Sequence, residues 1–171
     1  MTKYFSKFLL VLFIMTSVSA VSLQDPSTAG WEAINVDGLF TFRLPKGFVK
    51  RQLKGAEEVS GEFVNGQTKL LYVWGRTRSL AFDKRQQKWM NDYQETTTRL
   101  RGKRANIRSY WQRLNGVRIY KAELNVGNWQ NGEVELFIAI EGRDPKTPDF
   151  AKTVFTSVTF PIPIPESRAP R

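Results

Sequence analysis

The sequence predicts an α+β domain, an antiparallel sheet of about six to seven strands with helices packed on it. Three observations carry that expectation. Dipeptides that favour tight turns, Asp37-Gly38, Asn65-Gly66 and Asn115-Gly116, each sit between two apolar runs, the arrangement of a β-hairpin. Apolar residues alternate with charged ones at a period of two from Glu133 to Glu141. Two stretches, one ending near Leu100 and one starting at Thr147, change to a helical period. Hairpins outnumber strand–helix–strand units, so the sheet is expected to be antiparallel and sandwiched by helices.

The chain starts with Lys3 and Lys7 ahead of an unbroken apolar run from Phe8 to Met15, followed by the small residues Thr16 to Ala20. That pattern reads as a secretory signal peptide over residues 1–20. Spanning a bilayer takes about 20 apolar residues, and this core is less than half as long. Export to a periplasmic or extracellular space is therefore expected, with no transmembrane span in the mature form. About 150 residues remain, enough for one domain with a real core, here expected over residues 31–160.

Within that domain, Trp31 to Val36 and Leu39 to Leu44 form the first two strands, with Phe40, Phe42 and Leu44 on one face. The charged stretch Lys46 to Glu58 is expected as a loop. Val59 to Val64 and Thr68 to Trp74 form the second hairpin, in which both Asn65 and Gly66 would take positive φ. The last five residues of its second arm are apolar on both faces, which predicts a central strand covered on both sides. From Ser79 or Asp83 to Leu100, Phe82, Trp89, Tyr93, Thr97 and Leu100 fall near one stripe of an amphipathic helix that Gly102 ends. Ile107 to Leu114 and Val117 to Val126 make the third hairpin. Thr147-Pro148-Asp149 supplies a cap, a proline at the first helical position and an acid in the first turn of a second helix. Its buried side is Phe150, Ala151, Val154, Phe155 and Val158, and Thr156 to Phe160 reads as a closing strand. Pro161, Pro163 and Pro165 make residues 161–171 an extended tail.

The aromatic strand running into Leu44-Pro45-Lys46-Gly47-Phe48 resembles the opening of PsbP-like and DcrB-like domains. The later order is similar too, with Asn115-Gly116, Tyr120 on the next strand, and a final segment ending Ser157-Val158-Thr159-Phe160. The resemblance implies an α/β/α sandwich and a role as an extracytoplasmic accessory or assembly protein. It implies no catalytic residue, and no Cys is present to carry a lipid anchor.

Composition narrows the chemistry. There is neither Cys nor His, so thiolate chemistry, disulfides and the commonest neutral-pH base are excluded. No cofactor is expected. From Phe63 to Ala122 there are 14 Lys and Arg against Asp83, Asp92 and Glu95, while both flanks are slightly acidic. The candidate anion-binding residues are Arg99, Arg101, Lys103, Arg104, Arg108, Arg113 and Arg118, with Tyr110, Trp111 and the loop residue Trp129 as contacts. Guanidinium groups pair with phosphate and carboxylate, and aromatic neighbours stack on them. The expected partner is an acidic protein face, anionic lipid head groups or an envelope polymer, and export disfavours nucleic acid. The competing expectation is a small-ligand protein or hydrolase using Glu, Tyr and Lys groups in a cleft between sheet and helix. Glu133 and Glu135, expected opposite Lys121 and Glu123, read as a surface charge ladder, and Glu57, Glu58 and Glu62 as a weak cation candidate.

Overall fold

A computed structural model of the chain describes residues 28–51, 53, 59–78, 89–127 and 133–161. The expected leader, the residues 79–88 at the start of the expected first helix, Trp129, Glu57, Glu58 and the proline-rich tail beyond residue 161 lie outside the described residues. Nine strands and one helix make up the described part. They are β1 (Trp31–Val36), β2 (Phe40–Pro45), β3 (Val49–Arg51), β4 (Val59–Asn65), β5 (Thr68–Arg78), β6 (Met90–Leu100), β7 (Lys103–Leu114), β8 (Val117–Val126), β9 (Glu133–Gly142) and α1 (Thr147–Ser157). β1 and β2 pair as a separate two-stranded sheet, and the other seven form one antiparallel sheet in the order β3-β4-β5-β9-β8-β7-β6.

The turns follow from glycine and asparagine chemistry, with one change from expectation. Asp37 and Gly38 take φ of 49° and 71°, and Asn115 and Gly116 take 50° and 80°, as type I′ turns require. In the β4–β5 hairpin, Asn65 pairs with Thr68 and Gly66 alone among the turn residues takes positive φ. The turn is therefore centred on Gly66-Gln67 with glycine first, the type II′ pattern, rather than on Asn65-Gly66.

The inner face of the large sheet is the core. Phe40 and Phe42 of β2 are fully buried and meet Phe63, Tyr72 and Trp74, with centroid spacings of 5.8 Å for Phe40–Tyr72 and Phe42–Phe63 and 5.6 Å for Phe40–Trp74. Helix α1 packs against β2, β8 and β9, and its Ala151, Val154 and Phe155 share one buried core with Leu124, Ile138 and Ile140. Paired hydrogen bonds of 2.9 Å between Thr41 and Thr159, and one of 2.9 Å from Arg43 N–H to Ser157 Oγ, tie the end of α1 and the chain after it to β2.

Several expectations are corrected. Met90 to Leu100 is an edge strand, not a helix; Thr96-Thr97-Thr98 is a β-branched run that suits a pleated surface, and the open edge of β7 supplies its partner. Gly102 does not end a helix: with Arg101 it forms the two-residue turn between β6 and β7. A single helix lies among the described residues, so they show a sheet-dominated α+β fold, with helix cover on one face and not the two helical layers of an α/β/α sandwich. The expected loop after Lys46 contains the short strand β3, and the expected closing strand is one bridge, Thr41 to Thr159. β5 is interior, with Leu70 and Tyr72 buried inward, but Leu71 and Val73 on its outer face are only half-buried.

Candidate functional site

The cross-strand register splits the predicted basic residues by face and by end. Arg99 stands opposite Arg104 beside the Arg101-Gly102 turn, and all three arginines are exposed. Arg113 stands opposite Arg118 at the other end of β7. Nine residues at about 3.3 Å each put about 30 Å between the two ends. Arg118 lies 4.3 Å from the Trp111 ring centre and 3.4 Å from an Asp92 carboxylate oxygen. Trp111 itself packs on Tyr120, centroids 5.2 Å apart. Lys103 turns inward, ion-paired with Glu135 and 5.2 Å from the centre of the Phe160 ring. Glu135 thus serves Lys103, whereas Lys121 meets Glu141 at 3.6 Å; Glu123 faces Ala139, which corrects the expected ladder. Glu62 stands 4.0 Å from Lys69.

Arg108 and Tyr110 point to the outer face and belong to a cluster that sequence reading missed. Glu95 accepts hydrogen bonds from Tyr93 O–H at 2.6 Å, Asn106 Nδ2 at 2.7 Å and Arg108 Nε at 3.2 Å. Partial burial raises its pKa, but those three donors outweigh it and hold the carboxyl below its ordinary value. Burial, together with the carboxylates of Glu123 and Glu141, pushes Tyr110 up to about 12. Burial and the hydrogen bond to Glu95 push Tyr93 up to about 12. Burial also raises Glu123, against the pull of Arg108 directly opposite and of Lys121. A helix over Met90–Leu100 would have set Tyr93 and Glu95 on different sides, since residues two apart do not share a helical face. The signal that reveals the cluster is the period-two alternation of Tyr93, Glu95, Thr97 and Arg99 with Gln94, Thr96, Thr98 and Leu100.

One concavity lies on the inner face. α1 covers β8 and β9 but stops short of β6, leaving a cleft of about 630 Å³. Its floor is Ile107, Tyr120, Ala122 and Leu124, and Ala151 and Phe155 of α1 form one wall. β6 supplies the other wall as a polar row, Gln94, Thr96 and Thr98, closed by Leu100, with Ser109 of β7 behind it. Arg99, Asp149 and Lys152 stand at the rim. An apolar floor with a few polar groups at one side is the usual composition of a small-molecule site, and the volume falls within the usual range. Asp149 is the single carboxylate among these lining residues, and no metal-holding group of three or more His, Cys, Asp or Glu lies among the described residues.

No family model matches this chain, and neither does any curated protein. One solved structure with some likeness, the protein of unknown function PA94 from Pseudomonas aeruginosa, is 10% identical, covers 78% of this chain and 98% of its own, and has a TM-score of 0.40. Among the described residues no helix is long and apolar enough to cross a membrane.

Proposed function

We propose that the protein is an exported, non-enzymatic binding protein that holds a small amphiphile with an anionic end in the cleft between α1 and β6–β8. The observation that carries this reading is the pairing of an apolar floor with a hydroxyl and amide wall and the rim cations Arg99 and Lys152. Apolar area drives entry, and the cations orient the charged end at the mouth. The test is titration of the purified protein with dodecanoate, followed by displacement of an anionic fluorescent dye. Saturable binding is expected, weakened at least tenfold by Ser109→Phe, which fills the cleft, and severalfold by Lys152→Glu. Lys50→Glu, an exposed change on β3, should leave it unaltered. No saturable binding by the native protein, or equal binding by Ser109→Phe, would overturn the reading. Export is checked by mass spectrometry of the protein recovered outside the cytoplasm, with Val21 expected as its first residue.

A second reading, docking on an acidic protein face, anionic lipid head groups or an envelope polymer, draws support from Arg101. The Asp37-Gly38 and Asn115-Gly116 turns place Asp or Asn where the side chain must accept positive φ, but here an arginine takes φ of 50°. Arg99 and Arg104 are exposed like charges directly opposite each other on β6 and β7, an arrangement that sheet stability disfavours. Arg101→Gln with Arg104→Gln is expected to weaken binding to anionic liposomes and reduce its salt dependence; unchanged binding would remove this reading.

A further inference from the structure

Among the described residues β6 is the outer strand of the large sheet, and beyond its first part its protection as an edge is limited to the charges of Glu95 and Arg99. Such edges are kept single by shortness, proline, charged side chains (lysine above all) or a bulge. β6 runs for 11 residues with neither proline nor lysine. A register shift between Asn91 and Gln94, with Asp92 at φ 56°, distorts only its first part. The turn begins at Arg101. Gln94 to Leu100 is thus a regular ladder without a register shift, and its midpoint is Thr97.

We propose that the protein pairs with a second copy of itself through β6, antiparallel about a two-fold axis at Thr97. In that register Thr97 meets Thr97 of the second copy, Thr96 meets Thr98, and Glu95 meets Arg99 on each side of the axis. Opposite charges and Thr–Thr pairs directly across an antiparallel ladder both favour pairing. Charge complementarity therefore selects a copy of this chain, because a two-fold axis at Thr97 places a carboxylate against each guanidinium. Arg99 is exposed, and the Glu95 side chain keeps 37% exposure despite its bonds to Tyr93, Asn106 and Arg108. An axis at Thr96 would instead put Tyr93 against Arg99, and one at Thr98 would leave Arg99 against Thr97 and set Glu95 against Arg101, which lies in the turn beyond the end of the β6 ladder. The Thr97 axis stands perpendicular to the sheet, so the inner faces lie on one side and the two clefts meet across Thr96 and Thr98.

Light scattering on the purified protein should give twice the monomer mass. Arg99→Glu, checked for an unchanged thermal melt, should weaken the dimer at least tenfold by setting like charges across the axis. Adding Glu95→Arg to that variant should restore dimer formation. The native chain contains no Cys, so Thr97→Cys reports a single contact. Its oxidation should give a covalent dimer in high yield, whereas Thr96→Cys, displaced from the axis, should give little. A native protein that remains monomeric at high micromolar concentration would overturn the proposal. So would a dimer indifferent to Arg99→Glu, or equal crosslinking at positions 96 and 97. If the doubly reversed variant fails to fold, the two cysteine variants decide alone.

Discussion

Gly61 is where the aromatic core is most exposed to a single added atom. It sits on β4 directly across from Tyr72 on β5, and the Tyr72 ring lies over it. A Cβ at position 61 would come 2.5 Å from the Tyr72 hydroxyl and 2.6 Å from two of its ring carbons, well inside van der Waals contact. The ring has little freedom to retreat, because Tyr72 is 2% exposed and packs against Phe40, Phe42 and Phe63. Overpacking of this kind costs about 1 to 3 kcal/mol. For a chain of this size that lowers Tm by about 2 to 12 °C. Tyr72→Ala by itself should cost about 3 to 5 kcal/mol, from lost burial and the cavity left behind. The double variant carries the information: with the ring gone the added methyl has nothing to strike. Gly61→Ala in a Tyr72→Ala background should therefore be nearly neutral, a coupling of about 1 to 3 kcal/mol. Thermal and urea melts of the four proteins measure it. Equal costs of Gly61→Ala in both backgrounds would refute the stacking of Tyr72 over β4.

Two further outcomes are expected. Folding holds Tyr110 in its neutral form, its pKa raised from 10.0 to about 12, so the stability it lends is present below pH about 10 and lost as pH climbs toward 12. Ultraviolet titration should show Tyr110 ionising only at the alkaline unfolding transition; normal ionisation in the intact fold would contradict its buried place on the outer face. Arg101→Asn should stabilise the protein by up to about 1 kcal/mol, because asparagine tolerates the left-handed conformation better than arginine. A melt checks this, and a fall in Tm would mean that the Arg101 side chain holds the turn.

The hairpin architecture was legible because turn chemistry is local. Asp37-Gly38 and Asn115-Gly116 sit where positive φ is required, and the strand ends at these turns fall within a residue of expectation, although β7 begins at Lys103, four residues before the expected Ile107. The core face of β9, Leu136, Ile138 and Ile140, was readable from alternation alone. α1 was also readable from Pro148, Asp149 and the apolar spacing, except that Thr147 is its first residue and not its cap: Lys146 stands at the cap and makes no side-chain capping bond. Met90 to Leu100 was not, because an edge strand with Thr, Gln, Asp and Arg on its faces buries almost nothing, and a sparse apolar set at Tyr93, Thr97 and Leu100 fits a helical stripe equally well. That one misreading hid both sites. The Tyr93–Glu95–Arg108 cluster and the Gln94–Thr96–Thr98 wall exist only if these residues alternate on a strand. The basic run was visible as charge, but its division needed the β6–β7–β8 register, which places Lys103 inward, Arg108 outward and Arg113 at the far end.

Backbone amide shifts recorded during titration with dodecanoate test the cleft most directly, since they locate binding as well as detect it. Saturable shifts are expected, confined to β6, β7, β8 and α1 and centred on Thr96, Ile107, Ser109, Leu124 and Lys152, with β3 and β4 unmoved. Shifts centred on the outer face at Arg108 and Tyr110, or at the Arg101-Gly102 turn with none at Ser109 or Leu124, would contradict it.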